Sequence, residues 1–150
     1  MKKKVFGTVF AITALGWMGF IFSNSAKSRV ASSAQSAPFE KFLMPFLAKL
    51  GIEDTKYAAE LIVRKGAHIT EFFVLTVTVS VVLYLFGKSA KESAVLSALF
   101  GVCVAIADEV IQIFSNRGAK VSDVFIDSVG VLLAAILFLL ICKIIFKEKY

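Results

Sequence analysis

The sequence predicts an all-α fold: a polytopic membrane bundle of four transmembrane helices, with an amphipathic interfacial helical hairpin between helices one and two. Three observations carry that prediction. Hydrophobic residues make up 58% of the 150-residue chain and mean hydropathy is +0.81, whereas soluble domains hold roughly 45–50% apolar residues. Four apolar stretches, at residues 5–22, 69–86, 94–114 and 124–146, are each long enough to cross a core of roughly 30 Å as a helix. The ionisable residues in or beside three of them all fall at ends that would face one side of a membrane. The length suits a single domain over residues 1–150, with no room for a second.

The first stretch follows Lys2, Lys3 and Lys4 and precedes Ser23-Asn24-Ser25, so a cleaved signal peptide is an alternative to a span. Its apolar run exceeds the roughly 7–15 residues of a signal-peptide core, which favours a span. The outer loop, residues 23–68, begins with a Ser- and Ala-rich segment (23–37) that reads as flexible linker. Phe39, Phe42, Leu43, Phe46, Leu47 and Leu50 then recur at helical spacing and mark one apolar face. Pro45 is expected to bend or shorten that helix. A second short helix is expected from Asp54 as N-cap, with Tyr57, Leu61 and Ile62 on one face. Both helices either lie flat at the outer interface or pack as a lid over the bundle.

The formal charge of +6 does not point to nucleic acid, because the basic residues cluster at chain ends and in short loops. Lys88 and Lys91 separate spans two and three, and Lys143, Lys147 and Lys149 end the chain. Their density beside the helix ends places both termini in the cytoplasm. Cys103 and Cys142 should sit about 10 Å apart in depth, too far for a bridge. There is no internal repeat, no charge run and no glycine-rich phosphate loop.

Under that topology every intramembrane ionisable group belongs to the outer half of the bundle. Arg64, His68 and Glu71 are four and three residues apart and share a helix face. Asp108 and Gln112 are one turn apart, with Glu109 in reach of Gln112, and Ala94, Ala98, Gly101 and Ala105 extend their stripe inward. Asp123 and Asp127 open the last span, followed by Gly130 and Ala134. Small residues let membrane helices approach closely, so the three polar stripes are expected to face one another in an outward-facing cavity. Charge at that depth is costly and by default suggests a functional site.

These residues resemble the VanZ-like family of small membrane proteins. The resemblance covers residues 64–130 and the short Phe22-Ser23 signature. It rests on Arg64-Lys65-Gly66-Ala67-His68 with Glu71-Phe72, Asp108-Glu109 with Gln112 and Phe114, Arg117, and Asp123-Val124 through Asp127 to Gly130. The chain departs from the pattern in three places. Phe72 replaces a tyrosine common in the family, Ala134 replaces a second glycine, and the turn from Phe114 to Arg117 is one residue short. The resemblance implies a bacterial plasma-membrane, cell-envelope protein. The founding member is linked with resistance to the glycopeptide teicoplanin, and wider comparisons place the family among proposed enzymes acting on lipid head groups or lipid-carrier phosphates.

Two readings follow for function. In the first, the cavity binds or modifies an anionic lipid or lipid-linked envelope precursor. Arg64, Lys65 and Arg117 would hold its phosphate, with Gln112, Asp123 and Asp127 as further binding residues. His68, the only histidine, would be general base or nucleophile, oriented by Glu71 or an acid of span three, with Asp108 and Glu109 as acid–base partners. No tight ligand spacing assigns a metal, although the carboxylates could supply oxygen to a divalent cation such as Mg²⁺. In the second reading the protein is a non-catalytic adaptor or shield and the polar residues are a structural network. An ion pathway is disfavoured, since no ionisable residue lies in the inner half.

Overall fold

The computed structural model describes residues 2–115 and 120–145. They form five helices and no strand: α1 (Lys2–Ser25), α2 (Arg29–Lys49), α3 (Thr55–Leu85), α4 (Ala90–Phe114) and α5 (Val121–Ile145). Helices α1, α3, α4 and α5 are long and apolar enough to cross a membrane, and each holds one of the four expected spans, apart from Phe86, which caps α3, and residue 146, outside the described residues. At most 39% of the residues in any of their apolar windows are buried by the rest of the chain. Side chains such as Leu15, Leu99, Ile106, Leu132 and Ile136 point outward, so most of the apolar surface is left for lipid.

The loop between the first two spans differs from the expected linker and two short helices. Helix α1 continues to Ser25, and α2 begins at Arg29, capped by Ser28, whose side chain accepts from the Ala31 N–H at 3.3 Å. Most of the supposed linker is therefore helical. Its Ser, Ala and Gln residues carry no strong preference against helix, and α2 gains its stability by packing on α3. Pro38 and Pro45 both lie inside α2, which runs through them. The expected second short helix does begin at Asp54, whose side chain accepts from the Tyr57 N–H at 3.0 Å. It does not end before the span, however. No proline interrupts residues 55–85, so lid segment and span form one 31-residue helix.

Helix α3 is the hub, touching α1, α2, α4 and α5. Its core with α1, α4 and α5 holds Ile21, Phe72, Leu75, Val104, Ala105 and Val131. A second cluster, nearer the other end of the bundle, contains Ala90, Ala94, Ala135, Phe138 and Cys142. The expected small-residue stripes do face inward. A Cβ on Gly101 would stand 2.7 Å from Thr76 Oγ1, and one on Gly130 would stand 2.2 Å from the Ile69 carbonyl oxygen. At Gly130, then, α5 meets α3 backbone to backbone. Helix α4 opens with a capping box between Ser89 and Glu92. Cys103 and Cys142 form no disulfide.

Candidate functional site

The close approach at Gly130 sets the site. Helices α3 and α5 run alongside one another, and residues one turn apart on each form two rungs. Arg64 Nη2 lies 3.7 Å from Asp123 Oδ2, and His68 Nδ1 lies 3.2 Å from Asp127 Oδ1. The next step inward is the Ile69–Gly130 contact. The outer rung is partly exposed, whereas Asp127 is fully buried. The second rung is a close imidazole–carboxylate contact without hydrogen-bond alignment, and neither Asp127 oxygen has a hydrogen-bond donor among the described residues.

Helix α4 supplies the third wall. Asp108 is fully buried, and ligand atoms of His68, Asp108 and Asp127 all fall within 4.8 Å of one another. Gln112, one turn on, donates from Nε2 to Asp108 Oδ2 at 2.9 Å. This fixes the carboxylate and leaves Asp108 Oδ1 without a hydrogen bond among the described residues. Burying a carboxylate is expensive unless it is paired, hydrogen-bonded or bound to a cation. Here two are buried around one imidazole.

Helix α1 completes the enclosure. Asn24 Nδ2 donates to Glu71 Oε1 at 2.8 Å, and Trp17 Nε1 donates to the Glu71 carbonyl oxygen at 2.9 Å. Sequence reasoning missed both residues. The rule that found the others, polarity at one end of a span, applied equally to Asn24.

Two cavities adjoin the cluster. One, of about 150 Å³, lies between α1, α2 and α3, with Asn24, Ser32, Ser36, Arg64, His68 and Glu71 in its wall. The other, of about 330 Å³, opens between α3 and α5 and is lined by Arg64, Lys65, His68, Lys120, Asp123 and Asp127 among others. His68 and Arg64 belong to both walls.

The structure thus brings together His68, Asp108 and Asp127, with Gln112 behind them, Arg64 and Asp123 at the mouth, Lys65 in one cavity wall and Glu71 in the other. Three placements go beyond the expected ones. The carboxylate paired with His68 is Asp127 of the last helix, which the glycine contact draws onto α3, and Asp108 of α4 also comes within 4.8 Å of the imidazole. Glu71 is instead held by Asn24. Glu109 turns toward the start of α5, where its Oε2 accepts from the Lys120 N–H at 3.0 Å. Arg117 lies outside the described residues. Phe72, where a tyrosine was expected from the resemblance, is fully buried in the apolar core.

A family model described as VanZ/LLP1 matches residues 10–143. That range reaches all five helices and includes every residue placed in the site above. No curated protein and no solved structure matches the chain.

Proposed function

Because the chain belongs to the VanZ/LLP1 family and four of its helices can cross a membrane, we propose that it is a bacterial plasma-membrane protein with an outward-facing site. That site binds, and acts on, the phosphate-bearing head group of an anionic lipid or lipid-linked envelope precursor. One observation carries the reading: His68, Asp108 and Asp127 converge within 4.8 Å at the end of the bundle where Arg64 also lies. A site at that depth meets a head group while the lipid tail stays in the bilayer.

The residues divide the work by exposure. Arg64 pairs with Asp123 only at 3.7 Å and is partly solvated, so a phosphate can displace that weak partner and take the guanidinium bidentately. Lys65 adds positive charge to the same cavity wall. His68 exchanges a proton with the head group or with an attacking hydroxyl, while Asp127 beside Nδ1 orients the ring. Asp108, held by Gln112, fixes the charge of the pocket floor.

Comparing the lipids of cells with and without the protein tests the proposal. One altered head group is expected, reverting in His68→Ala and Asp108→Asn cells with membrane abundance unchanged. Full activity of both variants refutes the acid–base reading. The α3–α5 rungs also suit a non-catalytic adaptor whose charges lock helix register. In that case the same variants lower abundance and no head group changes. A link to glycopeptide resistance would appear as teicoplanin susceptibility that follows the lipid change.

A further inference from the structure

We propose that His68, Asp108 and Asp127 form a binding site for a divalent first-row transition ion, Zn²⁺ or Mn²⁺, at the floor of the pocket. The clue is unmet acceptor capacity rather than acidity alone. Asp108 and Asp127 are each fully buried. Among the described residues nothing hydrogen-bonds to Asp108 Oδ1, to either Asp127 oxygen or to His68 Nδ1. These atoms belong to the three side chains whose ligand atoms gather within 4.8 Å. Around an ion with bonds of about 2.0–2.2 Å, ligand atoms stand roughly 3–4 Å apart. The 3.2 Å separation of His68 Nδ1 from Asp127 Oδ1 already has that spacing.

Donor chemistry selects the ion. Imidazole suits zinc and other transition ions, whereas Mg²⁺ and Ca²⁺ prefer all-oxygen shells. One nitrogen and two carboxylates leave positions open for a ligand oxygen, the pattern of reactive rather than structural metal sites. The surroundings complete it. Gln112 holds Asp108 through Oδ2 and turns Oδ1 free, which is how outer residues orient a metal ligand. The Gly130 contact fixes the third ligand helix. Among the described residues the basic group set against the two buried carboxylates is an imidazole, and a dication would neutralise what that ring alone does not.

Binding of the ion stands independently of the lipid reading; only its role rests on it. At that site the ion would present its open positions to phosphate oxygens, and His68 would hold the ion in place of exchanging a proton.

The test uses the full chain, free of any histidine tag, purified in detergent without added lipid. After chelation it is reloaded with Zn²⁺, desalted and assayed for metal by mass spectrometry. About one ion per chain is expected, and a thermal midpoint that rises with metal. Mn²⁺, which the thiols of Cys103 and Cys142 hold poorly, should give the same stoichiometry by electron paramagnetic resonance. Asp108→Asn and Asp127→Asn should lose the ion, Gln112→Ala should bind roughly 10–100-fold more weakly, and Glu60→Gln should match the parent. Where an aspartate variant aggregates, His68→Gln replaces it. Sub-stoichiometric metal in the parent, or undiminished binding in the aspartate variants, overturns the proposal. Since lipid is absent from this assay, failure here leaves the head-group reading standing, and failure of the lipid comparison leaves the metal count standing.

Discussion

Glycine 130 is the position where one atom would matter most. A methyl group there would meet the Ile69 carbonyl oxygen at 2.2 Å, and that oxygen is backbone inside α3, which cannot swing aside. Gly130→Ala should therefore part α5 from α3, lowering stability by about 1–3 kcal/mol and separating His68 from Asp127. Thermal unfolding in detergent measures the first effect. Loss of metal from the purified variant measures the second. Trp17 offers a milder case: Trp17→Phe removes the donor to the Glu71 carbonyl and should cost about 0.5–1.5 kcal/mol without altering the proposed head-group chemistry. His68, Asp108 and Asp127 were legible in the sequence as candidates because buried charge is rare in a span. Their pairing was not legible, because helical spacing orders residues along one helix and is silent on how two helices register. Gly130 holds that information, but only once the Ile69 carbonyl is known to lie against it.

Among the elements, α3 and α2 depart furthest from what sequence reading gives. At 31 residues and about 1.5 Å per residue, α3 is roughly 46 Å long, well beyond a core of about 30 Å. Its first turns must stand clear of the hydrocarbon or tilt strongly. The sequence hid this continuity because the change from polar to apolar at residue 69 looks like a boundary, although no backbone breaker accompanies it. The apolar face of α2 was legible, yet the structure turns most of it outward: Phe42 is 72% exposed, and Phe39, Phe46 and Leu50 are also uncovered, while Leu47 packs inward. A spin label at Phe42→Cys in liposomes should show higher accessibility to oxygen than to a water-soluble nickel reagent if α2 lies on the membrane. The reverse ratio argues for a solvated lid. Deeper in the bundle, Ser80 and Ser97 share a 2.6 Å hydrogen bond between α3 and α4 that hydropathy does not reveal. A double-mutant cycle to alanine should return a coupling of about 0.6 kcal/mol.

For the molecule as a whole, the described ionisable residues of the site lie toward one end, while the opposite end carries the Ala90–Cys142 cluster and the Ser89 cap. The proposed outward-facing site requires both termini to be in the cytoplasm. In a Cys103→Ser, Cys142→Ala background, a membrane-impermeant maleimide added to intact cells should label Ser28→Cys and leave Lys88→Cys untouched. The opposite pattern inverts the topology and turns the pocket toward the cytoplasm. The number of spans was legible, since each is a signal some 20 residues long that survives local error. The enclosure of the pocket by α1 and α2 was not, because it depends on Asn24, Trp17 and a serine-rich helix whose individual residues carry little hydropathy signal.

The contact at Gly130 also sets how gently the protein must be handled. With no side chain between the two backbones there, nothing can stretch or re-pack to keep the imidazole and its carboxylate in touch when the helices drift apart. Solubilising agents that merely loosen the bundle should silence the pocket while circular dichroism still reports full helix content.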